Sequence, residues 1–214
     1  MRLKLIIITI LIISCGTVFP QFELDFLVKS GLAESFSDKI DINNHAYFYK
    51  KELNLQLGYK FAANKNLFKG TSLLFDFGTS GNPISYSISK ENKHTVSGNL
   101  GIFTGLALKF IFSPSLNSKQ DLVLGIASGA RFIPIIDNLN TKPNKVPISP
   151  YVKLFFEDRI YGNDKFAFVV GFGLYYEYMI FDKSDSMKLF GVNNVKQYHS
   201  IGEMITLGFH FGKR

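Results

Sequence analysis

An all-β fold, eight antiparallel strands closed up-and-down into a barrel, is what this sequence predicts, and three observations carry the prediction. Apolar and polar residues alternate with a period of two over several separate stretches, the pattern of strands whose two faces meet different surroundings. The connections between those stretches alternate between long and short along the chain. The composition, with 22 Phe, 10 Tyr, 18 Gly and 7 Pro but no Trp in 214 residues, favours strands and turns over helices. A chain of this length builds one compact core comfortably and two poorly, so residues 21–214 are assigned to a single barrel domain.

Residues 1–20 read as a signal peptide. Arg2 and Lys4 form a basic start, and 5–13 is apolar apart from Thr9, as an export signal requires. That run is shorter than the ~20 apolar residues a spanning helix needs, and it ends at Ser14-Cys15-Gly16, so cleavage is expected rather than anchoring. Cys15 is the sole cysteine, which excludes a disulfide within the chain. Ile12-Ile13-Ser14-Cys15 has the form of a lipobox, making Cys15 the candidate lipidation site; the other reading is an ordinary signal removed together with its cysteine.

The elements follow in order. A first strand spans 22–32. The second, 52–61, sets Leu53, Leu55, Leu57, Tyr59 and Phe61 against Glu52, Asn54, Gln56, Gly58 and Lys60. A third covers 70–79, with the alternation at 83–89 read as a hairpin extension beyond the membrane. The fourth, 96–110, carries Leu100, Ile102, Leu106, Leu108 and Phe110 on one face. Strands at 120–133 and 148–160 follow. The seventh, 166–180, alternates without a break from Phe166 to Ile180, and the last places Ile201, Ile205, Leu207, Phe209 and Phe211 on one side. Long polar connections are expected near 33–46, 80–94, 134–147 and 182–197, and short ones near 63–69, 113–119 and 161–164. Pro83, Pro134, Pro143 and Pro147 fall in or beside the long connections, and only Pro150 intrudes near a strand start.

Alternation alone does not say which face is outside, so the second face decides. On 96–110 it reads Ser97, Asn99, Gly101, Phe103, Gly105, Ala107 and Lys109; on 166–180 it reads Ala167, Val169, Gly171, Gly173, Tyr175, Glu177 and Met179. These faces are small and almost uncharged, whereas a soluble exterior is ~25–35% charged. They suit the narrow interior of an eight-stranded barrel, and the Phe and Leu face suits lipid, which makes the barrel transmembrane. Charges on the inner face must then pair, because an isolated buried ion is costly. The set expected inside as a structural polar network is Glu52, Lys60, Asp76, Lys109, Arg131, Lys153, Glu157, Arg159 and Glu177. It fills the lumen and leaves no pore. Tyr47, Tyr49, Phe61, Phe110, Tyr176, Tyr178, Phe209 and Phe211 are the candidates for interfacial girdles.

With its signal, the opening strand at 26–32 and the closing Ile205-Thr206-Leu207-Gly208-Phe209-His210-Phe211, the mature chain resembles the small outer-membrane β-barrel domains of the OmpA/OmpX type and the PorT-like barrel proteins. The resemblance implies localisation in the bacterial outer membrane, surrounded by outer-membrane lipid. It also implies contact with the barrel-assembly machinery during insertion, and long loops free to meet an extracellular or periplasmic protein partner. One departure is that Gly212-Lys213-Arg214 follow Phe211, where such chains usually end on an aromatic.

The net charge of +7 is spread along the chain without a dense basic stripe, so nucleic acid is not expected as a partner. His45, His94, His199 and His210 lack zinc-site spacing, and no metal or other cofactor is expected. His199-Ser200 with Glu203 is the sole group reminiscent of a lipid hydrolase. Neighbouring strand residues point to opposite faces, which separates His199 from Ser200 and leaves Glu203 with Ile205 and Leu207. The expectation is a non-enzymatic integral membrane barrel with a structural or surface-interaction role. The alternatives are an outer-membrane lipid-modifying enzyme and a soluble, lipocalin-like binding barrel.

Overall fold

The computed structural model describes residues 20–37, 46–63, 67–87, 99–115, 118–136, 148–180, 187–189, 192–195 and 197–214. The expected signal peptide and Cys15 lie outside the described residues. Eight long strands form a closed barrel: β1 (Gln21–Ser37), β2 (Ala46–Ala62), β3 (Phe68–Ser87), β4 (Asn99–Phe112), β5 (Gln120–Ile136), β6 (Ile148–Asn163), β7 (Phe166–Ile180) and β10 (Gln197–Gly212). Each pairs antiparallel with its neighbour in sequence, and β10 closes the ring against β1. In the last long connection, β8 (Met187–Leu189) and β9 (Val192–Val195) form a small separate hairpin, which the sequence did not predict.

Following paired residues once around the wall leads from Leu24 through Leu57, Phe75, Leu106, Ser128, Val152, Tyr176 and Ile201 back to β1 at Glu34, ten residues along from Leu24. That stagger tilts the strands by about 40° and leaves an interior only wide enough for side chains. The outward apolar band on β1 runs from Phe22 to Leu32, a rise of about 25 Å at that tilt.

Inside and outside fall as the alternation predicts. Phe75 is 63% exposed and Ile205 60%, while Arg159 and Lys109 are fully buried. A wall of exposed Leu, Ile and Phe around an ionic interior inverts the soluble arrangement, and the hydrophobic effect tolerates it only where the surroundings are themselves apolar. The lipocalin-like alternative, with its apolar side inward, does not fit this wall. Of the expected girdle, Phe61, Phe110, Phe209 and Phe211 face outward in the half nearer the short turns. Tyr49 and Tyr176 do so near the long loops, where Tyr178 is half-buried; the Tyr47 side chain lies outside the described residues.

Several boundaries differ from expectation. β1 continues to Ser37 and β2 begins at Ala46, because the backbone ladder needs no apolar side chains beyond the outward apolar band, and β3 runs through to Ser87, within the hairpin extension expected at 83–89. Pro83 and Pro134, expected in or beside the long connections, lie within β3 and β5. Each sits where the register of the adjoining pair shifts, between Tyr49/Lys51 and between Leu100/Ile102, because a bulge spares proline the ladder bond it cannot donate. Near the short turns, Gly70 lies beside a third shift with φ at +143°, a conformation open to glycine and strained for other residues.

Candidate functional site

Ionisable groups of the described residues concentrate in the interior. Among the described residues, Lys29, Lys50, Lys60, Lys109, Arg131, Lys153 and Arg159 are buried beside Glu23, Asp25, Glu52, Asp76, Asp121, Glu157 and Glu177. Seven cations therefore meet seven carboxylates, joined by the buried His210. The balance satisfies the requirement that a charge leaving water must find a partner.

The groups divide into two chambers. On the side of the short turns, Asp25 is the hub: Lys109 Nζ donates to its Oδ2 at 2.8 Å, Arg159 Nη2 at 3.2 Å, and His210 Nδ1 lies 2.5 Å from Oδ1. Lys109 also donates to Glu157 at 2.7 Å, and Arg159 to Glu23 at 3.4 Å. The residues after Phe211 turn inward and floor this chamber. Lys60 Nζ donates to the Lys213 carbonyl at 3.0 Å. Arg214 pairs with Asp121 at 3.2 Å, donates to Ser113 and stands over the Tyr161 ring. The departure at 212–214 is thus a plug of the mouth, and Phe211 still faces outward.

On the side of the long loops, Lys153 donates to Glu52 at 2.8 Å, and Lys50 to Glu177 at 3.1 Å. Arg131 Nη2 lies 3.0 Å from Glu177 Oε1. Asp76 collects Asn54, Gln56 and Tyr151 as donors at 2.7–2.8 Å. The aromatic inner residues serve the cations here, with Lys50 over Tyr175 at 3.8 Å and Lys153 over Phe103 at 4.0 Å, contacts that strengthen when desolvated. Counted among the described buried residues, this chamber holds Lys29, Lys50, Arg131 and Lys153 against Glu52, Asp76 and Glu177.

Between the chambers lies an apolar layer of Leu74, Ala107, Ala127 and Phe155. The Phe155 ring has Lys29 Nζ at 5.4 Å and Lys109 Nζ at 5.2 Å, a cation from each chamber. Its space exists because the facing position is Gly125: a methyl group there would overlap the ring.

All nine residues expected inside are buried in the lumen. Arg131, Glu177, Glu52, Lys153 and Asp76 meet in the loop-side chamber, Lys109, Glu157 and Arg159 in the turn-side one, and Lys60 at the floor. Sequence reasoning missed Glu23, Asp25, Lys29, Lys50, Asp121 and His210. Their signal was present: Glu23, Asp25 and Lys29 alternate with the outward Phe22, Phe26 and Val28.

His199, Ser200 and Glu203 do not assemble. Ser200 is buried against the Tyr175 hydroxyl at 3.2 Å, whereas His199 meets Tyr176 and Tyr178 on the outer face and Glu203 is exposed there. Among the described residues no three His, Cys, Asp or Glu side chains converge as metal ligands would.

No family model and no curated protein matches the chain. Among solved structures it is similar to Neisserial surface protein A, at 15% identity and a TM-score of 0.49 over 89% of this chain and 96% of that one. It is also similar to the outer membrane protein OprG from Pseudomonas aeruginosa, at 11% identity and a TM-score of 0.49, covering 92% and 98%. The outer membrane protease OmpT from Escherichia coli is similar at 9% identity and a TM-score of 0.43, covering 92% and 99%. The chain's own geometry carries the conclusion: this is a closed eight-stranded antiparallel β-barrel, apolar on its outer wall and ionic at its core.

Proposed function

We propose that the protein is an integral barrel of the bacterial outer membrane, non-enzymatic and closed to solutes, which presents its long connections to a partner outside the bilayer. One observation supports this reading above the rest: an apolar outer band the height of a bilayer encloses a lumen in which, among the described residues, seven buried cations face seven buried carboxylates. Eight strands leave no room for water beside that many side chains. The catalytic alternative would need a nucleophile, a base and an acid on one face, and the outer-surface His199 and the lumenal Ser200 are on different ones. Outer-membrane lipid is then the immediate partner and the barrel-assembly machinery the partner during insertion. The protein that meets the loops carries no signature in this chain.

Fractionation of expressing cells, with electrophoresis before and after boiling, tests the membrane reading. Recovery with the outer membrane and a heat-modifiable band is expected, and a detergent-independent soluble protein would overturn it. Reconstitution into planar bilayers tests the closed lumen, where steady ion conductance would contradict it.

A further inference from the structure

Three prolines near the loop-side ends of the described strands are treated differently by the wall. Past Pro83 and Pro134 the ladders resume, up to Ala46↔Ser87 and Asn99↔Ile136. At Pro150 they do not. Pairing of β6 with β7 ends at Tyr151↔Glu177, although β6 stays paired with β5 up to Ile148 and β7 with β10 up to Ile180. Continued register would set Pro150 opposite Tyr178, and proline has no N–H to offer. The Tyr178 carbonyl instead accepts from the Ser149 hydroxyl at 3.0 Å. Inside, the Arg131–Glu177 ion pair at 3.0 Å reaches from β5 to β7 behind this seam. Two side-chain contacts thus stand where a backbone ladder would.

Behind the seam, Arg131 and Lys50 both meet the single carboxylate of Glu177. Arg131 is 3% exposed, lies next to Ser149 in the register, and its buried Nε has no hydrogen-bond partner. Outside the seam, Ile148 is 53% exposed. An apolar approach from the bilayer therefore leads, at the level of the rim, to a buried guanidinium donor that shares one carboxylate with Lys50. We infer that the β6–β7 seam is a lateral binding site for an anionic membrane lipid, its acyl chains along Ile148, Pro150 and Val152 and its phosphate-type headgroup at Arg131. The inference rests on the membrane reading above.

The chain has no Trp, so single reporters are clean. The test uses full-length mature protein in phosphatidylcholine nanodiscs containing trace brominated phosphatidylglycerol or trace brominated phosphatidylcholine. An Ile148→Trp reporter sits at the seam and a Leu106→Trp reporter two strands further around the wall. Enrichment of the anionic lipid at Ile148→Trp by about fivefold over the neutral one is expected for one cation at the membrane surface, with parity at Leu106→Trp. Arg131→Gln should return the seam to parity. Pro150→Val, which restores the missing N–H and needs no rearrangement of the charges, should also reduce the enrichment. Equal enrichment at both reporters, or a seam preference untouched by Pro150→Val, would overturn the site. Competition by millimolar inorganic phosphate would overturn the lipid as its source. Quenching of Leu106→Trp by either brominated lipid reports that the barrel is in the bilayer, so failure of the membrane reading is seen separately.

Discussion

The two chambers of the lumen are made from the same kinds of side chain and are closed in opposite ways. The turn-side chamber is drawn around one carboxylate, Asp25, with three basic partners, and Arg214 lies across its mouth against Asp121. The loop-side chamber is a chain of pairs running from Asp76 to Arg131 without a single hub, beside the β6–β7 seam, where Pro150 stops the ladder. Phe155 keeps them apart. A buried ionic cluster can therefore either lock a barrel or leave a responsive end, depending on whether its charges converge and whether the wall around them is fully laddered.

The largest effect that could break this comparison is expected from Asp25→Ala. Removing one partner of a buried charge network costs about 3–5 kcal/mol, and here it strips Lys109, Arg159 and His210 together. Urea unfolding in phospholipid vesicles should show a loss of that size, and a smaller one for Glu177→Ala nearer the rim. Equal losses would mean that the chambers do not differ in their closure. Next comes the divider. Gly125→Ala forces a methyl group into the Phe155 ring, an overpacking cost of about 1–3 kcal/mol, measured by the same unfolding midpoint. If stability is unchanged, Phe155 is not held in place by its neighbours.

A smaller effect sharpens the contrast between laddered and unladdered wall. Ser149→Ala removes the hydroxyl that serves the Tyr178 carbonyl, worth about 1 kcal/mol. Amide exchange should quicken near the loop-side ends of β6 and β7 while the amides around Asp25 keep their protection. Uniform quickening would show the seam to be part of the global cooperative unit. Smallest is Arg214→Ala. Its guanidinium is 23% exposed, and a partly solvated pair contributes at most about 1 kcal/mol. The expected result is a nearly unchanged midpoint with faster exchange confined to the floor near Asp121.

Much of the fold was legible in the sequence because a barrel wall obeys a period of two. The run from Phe166 to Ile180 gave both its limits and its faces, and the parity of Glu52, Lys153 and Glu177 put them inside before any partner was known. Parity was equally informative at Asp25, but the first strand alternates less cleanly, since Leu27 and Leu24 blur its faces. Strand ends were less legible. β3 passes through Pro83 and β5 through Pro134 because bulges absorb them, and a bulge is a property of two strands in register.

The sequence by itself determined that the chain is a barrel, which side of its clearly alternating strands faces outward, and that opposite charges would share the interior. Those are consequences of local periodicity and of the cost of isolated charge, and neither needs to know which strand lies beside which. Only the tertiary structure decided that Asp25 meets Lys109 and His210, residues far apart in the chain and joined by the stagger of the closed ring. It alone separated the charges into two chambers around Phe155, folded Arg214 across one mouth, and left Pro150 without a bulge at the other. Pairings of that kind depend on register around all eight strands, because a shift of a single residue exchanges the inner and outer faces of a strand.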